Sequence, residues 1–188
     1  MVVSMIEFER QRLELMYDSK IIQVYKDYLK TPNQDEVCYD FIKHKSGGGA
    51  GILLVDDNEY TYLVRQYRNS IDALNIEIPA GGYAFSGEAG DVCAIREAEE
   101  ETGFIPRKLY HVSNLVSAIG TFDERTDVYI GTHLEPGHTK FDRDEYIELL
   151  HVPMTEALNM IYDGKIIDSK SIVAILAYQD MKHRGIIE

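Results

Sequence analysis

The sequence predicts an α+β fold, a sheet with helices packed on it. Three observations lead there. Segments with strand character outnumber segments with helical character, and the two kinds are interleaved along the chain. The 188 residues, 45% hydrophobic and 27% charged, are also enough to bury a real core without cross-links. Only two cysteines are present, Cys38 and Cys93, which excludes a disulfide scaffold and reads as a pair of buried thiols. With 14 Gly, 5 Pro and no repeat, collagen-like and low-complexity chains are excluded too.

The elements follow in order. Ile22, Val24 and Tyr25 open a β-branched and aromatic stretch that ends at the turn Thr31-Pro32-Asn33. Val37, Tyr39 and Phe41 then alternate with polar neighbours, the pattern of a half-buried strand. These two strands make a small N-terminal β appendage, residues 1–46, and Ser46-Gly47-Gly48-Gly49 marks its boundary with a main domain over residues 47–188. Residues 51–55 and 60–64 flank Asp56-Asp57-Asn58 as a hairpin, and a strand over 74–78 stops at Pro79-Ala80-Gly81-Gly82. A helix spans about 87–102, closed by Gly103 at the position where glycine ends helices. Strands follow over 111–116, 127–132 and 146–152. Two helices end the chain, over 154–162 and 169–182, the first stopped by Asp163-Gly164.

Charge limits the partners. A net charge of −13 repels phosphate backbones and anionic lipid, so neither nucleic acid nor a membrane surface is expected. An anionic small substrate needs local arginines or a metal ion to reverse the field. Glu7, Glu9 and Arg10 interrupt any apolar leader, and residues 52–55 are far too short to span a bilayer, so the chain reads as cytoplasmic. Gly47-Gly48-Gly49-Ala50-Gly51 precedes a strand and lacks a following Gly-Lys-Ser/Thr, so it is neither a dinucleotide nor a phosphate loop. The six histidines lack ligand spacing and read as structural.

The chemistry concentrates in Arg96-Glu97-Ala98-Glu99-Glu100-Glu101-Thr102-Gly103. On a helix Glu97, Glu100 and Glu101 share one face, and like charges so spaced oppose the helix by about 0.2–0.5 kcal/mol per pair. Arg96 at i,i+4 from Glu100 offsets part of that. A hard divalent cation, Mg²⁺ or Mn²⁺, would resolve the rest, and the rival reading is a solvated acidic face.

Spacing decides between them. Gly82, five residues, Glu88, seven residues, Arg96-Glu97, then Glu100-Glu101, Thr102, Gly103 and Phe104 resembles the Nudix box, with Ala98 a small residue at a position usually filled by a larger aliphatic. Leu63-Val64-Arg65-Gln66-Tyr67-Arg68, Glu77-Ile78-Pro79-Ala80-Gly81, Gly120-Thr121-Phe122-Asp123-Glu124-Arg125, Asp144-Glu145-Tyr146-Ile147-Glu148 and Gly164-Lys165-Ile166-Ile167-Asp168-Ser169-Lys170 extend the resemblance to the ADP-ribose pyrophosphatase branch of that family. It implies the Nudix α/β/α sandwich around a mixed sheet, and a homodimer whose N-terminal strands meet across the interface.

The resemblance also implies roles. Glu97 and Glu101 are the direct metal ligands, Glu100 a ligand or a water-mediated partner, and the Gly81 carbonyl completes the set, with Ala80 as the alternative because Gly82 adds a residue to the usual pattern. Arg96 orients the box carboxylates, and Glu88 holds the loop or helix or supports the metal from outside its ligand set. Glu145 is the general base, against the plainer reading of residues 142–145 as a polar loop. Arg68 is the diphosphate clamp; Arg65 is either a second substrate contact or a surface residue. Glu124 contacts substrate at a ribose, and Tyr25 and Tyr28 are candidates for stacking on a base. The implied reaction is metal-dependent hydrolysis of a nucleoside diphosphate sugar, with ADP-ribose giving AMP and ribose 5-phosphate. Ile119 stands where ADP-ribose hydrolases carry proline, which keeps GDP-mannose and UDP-glucose open. Two rivals are a non-catalytic nucleotide-sugar sensor, which would have damaged box glutamates, and an acidic interaction protein, which would show no divalent dependence.

Overall fold

The computed structural model describes residues 7–85, 87–141 and 146–187. Ahead of the glycine run the strand-forming segments number three: β1 (Glu9–Asp18), β2 (Ile22–Lys30) and β3 (Glu36–His44), an antiparallel sheet with β2 in the centre. The first of these is not legible in the sequence. It is an edge strand exposed at nine of its ten positions, so charged residues interrupt any two-residue alternation, and two register shifts break its pairing with β2. Residues further along join this unit: the Ile42 N–H donates to the Thr121 carbonyl at 2.7 Å and the Asp123 N–H to the Ile42 carbonyl at 3.1 Å. The described chain thus divides into two compact units, one running through Gly48 and including Val116–Glu124, the other made of Gly49–Leu115 and the chain from Arg125 onward. Cys38 lies exposed in β3 rather than buried as the sequence suggests, because a strand in a three-stranded sheet has only one face to cover; Cys93 is buried.

In the second unit, β4 (Gly48–Val55) is buried throughout and explains the architecture. Ala50, Ile52 and Leu54 point one way and Leu53 and Val55 the other, so both faces of the strand need cover. β5 (Tyr60–Arg68) pairs with β4 through the turn foreseen at Asp56-Asp57-Asn58, where Asp56 Oδ1 accepts the N–H groups of Asn58 and Tyr60, each at 2.9 Å. β6 (Ala73–Glu77) pairs β5, and β7 (Ala80–Gly82) pairs β4. The chain after Pro79, which reads as a stop, is this short strand: small residues at 80–82 let it lie directly against Gly49-Ala50-Gly51.

Helix α1 (Gly90–Thr102) covers the Ala50/Ile52/Leu54 face with Cys93, Ala94 and Ala98, and Gly103 ends it at φ 75°, its N–H donating to the Glu99 carbonyl. Its first turn begins three residues later than the sequence suggests, because Gly87 at φ 90° and the extended Ala89 precede it. β8 (Phe104–Leu115) starts at once; Pro106 hid its first half, yet proline is tolerated on an edge strand. β9 (Arg125–Pro136) and β10 (Ile147–Pro153) complete a seven-stranded sheet in which the order is β10-β5-β4-β9-β8, with β6 beside β5 and β7 beside β4. Helices α2 (Met154–Tyr162) and α3 (Ser169–His183) close the opposite face through Met154, Ala157, Ala174, Ile175 and Tyr178. Helices on both faces make this the α+β sandwich the sequence predicts. Among the described residues, no helix is long and apolar enough to cross a membrane.

Candidate active site

Helix periodicity puts Cys93, Ala94, Glu97, Ala98 and Glu101 on one face of α1, and that face is the buried one. Glu97 is 7% exposed and Glu101 3% exposed, so the acidic pair is packed inward instead of lying on a solvated surface. Carboxylates taken out of water need compensation. Arg96 supplies part of it. Its Nη1 donates to Glu97 Oε1 at 2.5 Å and to Glu100 Oε2 at 3.0 Å, its Nε to Glu88 Oε1 at 3.2 Å, and its Nη2 to the Gly82 carbonyl at 3.0 Å. Burial works against the Arg96 charge, and its hydrogen bonds to Glu88, together with the neighbouring Glu97 and Glu100, more than restore it. Arg96 in turn holds the Glu88 carboxyl below the usual range, and Glu88 Oε2 accepts the Ala84 N–H at 2.7 Å, fastening the loop that leads into α1.

The backbone of β7 closes against the same carboxylates. The Ala80 N–H donates to Glu101 Oε2 at 3.1 Å. A Cβ built on Gly81 would lie 2.1 Å from Glu97 Oε1, so the carboxylate rests directly on that glycine. The Gly81 carbonyl has its own contacts: the Cys93 thiol donates to it at 3.6 Å, and a Cβ on Gly49 would sit 2.0 Å from its oxygen. Burial pushes that thiol up to about 12, so Cys93 is an inert packing group.

A second charged cluster stands next to this one. Arg68 Nε and Nη2 donate to the two oxygens of Glu77 at 2.7 and 2.8 Å, and Lys170 Nζ reaches Glu77 Oε2 at 2.6 Å. Burial would raise the Glu77 pKa, but the Arg68 hydrogen bonds and the Lys170 charge hold it at about 2. The charges of Glu77, Glu101 and Asp168 all stabilise the Arg68 guanidinium, which ties this cluster electrostatically to the acidic helix.

Glu88, Arg96, Glu97, Glu100, Glu101 and Gly81 are brought together, with Arg68 beside them. Arg65 is not. Strand alternation puts it on the face of β5 opposite Arg68, where it pairs with Glu148 in the open. Glu124 lies in the N-terminal unit, 3.9 Å from His44 Nε2. Tyr25 there stacks on Phe41 at 5.4 Å, while Tyr28 lies under the Arg12 guanidinium and donates to Glu14. Ile119 is 87% exposed. Glu145 falls outside the described residues. Glu77 and Lys170 also stand beside the site, and the sequence marks each only as one charge, within 77–81 and 164–170. Also unforeseen is Asp127, which accepts from the Tyr83 hydroxyl at 2.8 Å and Asn114 Nδ2 at 2.7 Å and packs against Gly90 at the start of α1.

Among the described residues, no three His, Cys, Asp or Glu side chains converge on one point as a finished ligand set. The donor set nonetheless fits a hard divalent cation. Three glutamates around Arg96, with Glu101 on the same helix face, leave the cluster with an excess of negative charge; every donor is oxygen, and Glu97 and Glu101 are buried one turn apart.

A family model for the NUDIX domain matches residues 45–171. The chain belongs to the Nudix family. It is 30% identical over 164 residues to the ADP-ribose pyrophosphatase of Bacillus subtilis (strain 168), covering 86% of this chain and 87% of that one. It is 29% identical over 190 residues to the GDP-mannose pyrophosphatase of Salmonella typhimurium (strain LT2), covering 88% and 98%. A crystal structure described as an ADP compounds hydrolase superposes with a TM-score of 0.82 at 18% identity, covering 96% of this chain and 97% of that one, and so shares the fold. This Nudix chain is a pyrophosphohydrolase of the ADP-ribose pyrophosphatase-like branch.

Proposed function

We propose that this Nudix enzyme hydrolyses the pyrophosphate of a nucleoside diphosphate sugar, with ADP-ribose split to AMP and ribose 5-phosphate, in a reaction that depends on Mg²⁺. The observation that carries the reading is the burial of Glu97 and Glu101 against the β7 backbone, with Arg68 close enough to feel the charge of Glu101. Glu97 and Glu101, with Glu100 at the rim, would hold the cation. Bound there, it supplies charge neutralisation at the diphosphate and acidifies water.

The chain's own residues do the remaining work. Arg96 holds the Glu97 and Glu100 carboxylates together through its Nη1. Arg68 presents N–H donors to the diphosphate oxygens, a geometry suited to a guanidinium. Glu145 takes the proton of the attacking water as general base. Gly81 lets the Glu97 carboxylate close on the backbone, and its carbonyl completes the ligand set, with that of Ala80 as the alternative because the Cys93 thiol already engages Gly81. Glu124 contacts the substrate ribose. Arg65, paired with Glu148, has no part in this scheme. The exposed apolar side chains of β1, Leu13, Leu15, Met16 and Tyr17, support a homodimer formed through the N-terminal sheet.

GDP-mannose is the second reading, because relatives named for that substrate match almost as well and Ile119 replaces the expected proline. A panel of ADP-ribose, GDP-mannose and UDP-glucose, each with Mg²⁺ and with Mn²⁺, should show ADP-ribose turned over fastest. Glu145→Gln in the same assay should lower kcat by roughly 10²–10⁴-fold. Cleavage of none of the three would overturn the assignment; faster GDP-mannose turnover would move it to the second reading.

A further inference from the structure

Glu77 is 2% exposed and lies in a strand whose neighbours could have been apolar, yet it is an ionised carboxylate. Three N–H groups from two sides serve its oxygens: Arg68 Nε and Nη2 from β5, and Lys170 Nζ from α3. The same lysine lies 3.0 Å from Asp168 Oδ1. Asp168 Oδ2 accepts from the Ser171 N–H at 3.0 Å and from the Ser171 hydroxyl, and Ser171 Oγ accepts the Ile78 N–H at 2.8 Å. The ring closes on the residue after Glu77. Side chain and following backbone are both fastened to the start of α3, two residues before Ala80 reaches Glu101.

A buried carboxylate held this way does little for stability that an apolar residue would not do as well. It does fix the plane of one guanidinium. We propose that Glu77 is a positioning residue for Arg68: its bidentate pair takes Nε and Nη2 and turns Nη1 toward the diphosphate, while Lys170 and Asp168 keep Glu77 from following the guanidinium when substrate binds. This rests on the reading of Arg68 as the diphosphate clamp.

The test is a double-mutant cycle on ADP-ribose hydrolysis with Mg²⁺, using Arg68→Ala, Glu77→Gln and the pair. Glu77→Gln should raise KM roughly tenfold with kcat within about threefold of wild type, a loss of binding shared by ground and transition states. In the Arg68→Ala background the same change should add less than about twofold, because its target is gone. A purely structural Glu77 would lower the unfolding temperature and leave KM alone, or act equally in both backgrounds; either result overturns the proposal. An unchanged KM in Arg68→Ala overturns the clamp reading itself, whereas a raised KM there with none in Glu77→Gln overturns only the positioning role. If Glu77→Gln does not fold, Lys170→Met, which withdraws the second cation and leaves the Arg68 pair, carries the same expectation at about threefold, and additivity with Arg68→Ala again overturns it.

Discussion

A single carboxylate shows how much depends on its partners at the residue scale. Glu77 is buried, which alone would raise its pKa, but Arg68 and Lys170 hold it at about 2. A carboxyl group lowered from an unfolded value near 4.5 contributes stability that is fully present above that pH. The contribution is lost as pH falls from there toward 2; measured against the same carboxyl left unshifted, not against an apolar residue in its place, it is about 3 kcal/mol at neutral pH. Urea unfolding at pH 7 and pH 3 should therefore show a smaller acid loss in Glu77→Gln than in wild type, and an equal loss in both would mean the carboxylate is not held ionised. The sequence displays Glu77 only as one charge in Glu77-Ile78-Pro79-Ala80-Gly81, with nothing to say that its partners come from β5 and α3. Contacts across some 90 residues leave no local pattern. The box glutamates differ because helical spacing alone puts Glu97 and Glu101 on one face. Their burial was not legible; it follows from Cys93, Ala94 and Ala98 sharing that face.

At the scale of elements, legibility tracks how much of a segment's environment is local. Helices α1 and α2 could be read from Gly103 and Asp163-Gly164, because stops act over a few residues: Gly103 ends α1 in the left-handed region. The cap on α3 is as local, since Asp168 accepts the Ser171 N–H, though the sequence reading did not single it out. Most of strand β4 was legible as one arm of a hairpin, whereas β7 was not, since three small residues become a strand only by lying against another. β1 was missed because an edge strand need not alternate. Its apolar residues face solvent in one chain, with Leu15 48% and Tyr17 57% exposed, and a second copy of the N-terminal sheet would cover them. Sedimentation equilibrium should give a dimer for the wild type and a monomer for Leu15→Asp combined with Tyr17→Asp; a monomeric wild type would remove the homodimer.

For the whole molecule, two helical layers on a seven-stranded sheet place the acidic face of α1 against β7 and the start of α3 against β6. Charged clusters on different elements thereby meet in one region of a chain whose net charge is −13. Such a surface repels a diphosphate, and in the proposed reading Arg68 and a cation held by the glutamates reverse the field locally. The measurement that bears most directly on this is a Mg²⁺ titration of ADP-ribose hydrolysis in wild type and Glu101→Gln. Saturable activation should appear in the wild type and turnover should fall roughly 10²–10³-fold in the variant, the scale of a lost electrostatic stabiliser. Equal turnover in chelator, or a Glu101→Gln enzyme as fast as wild type, would contradict it.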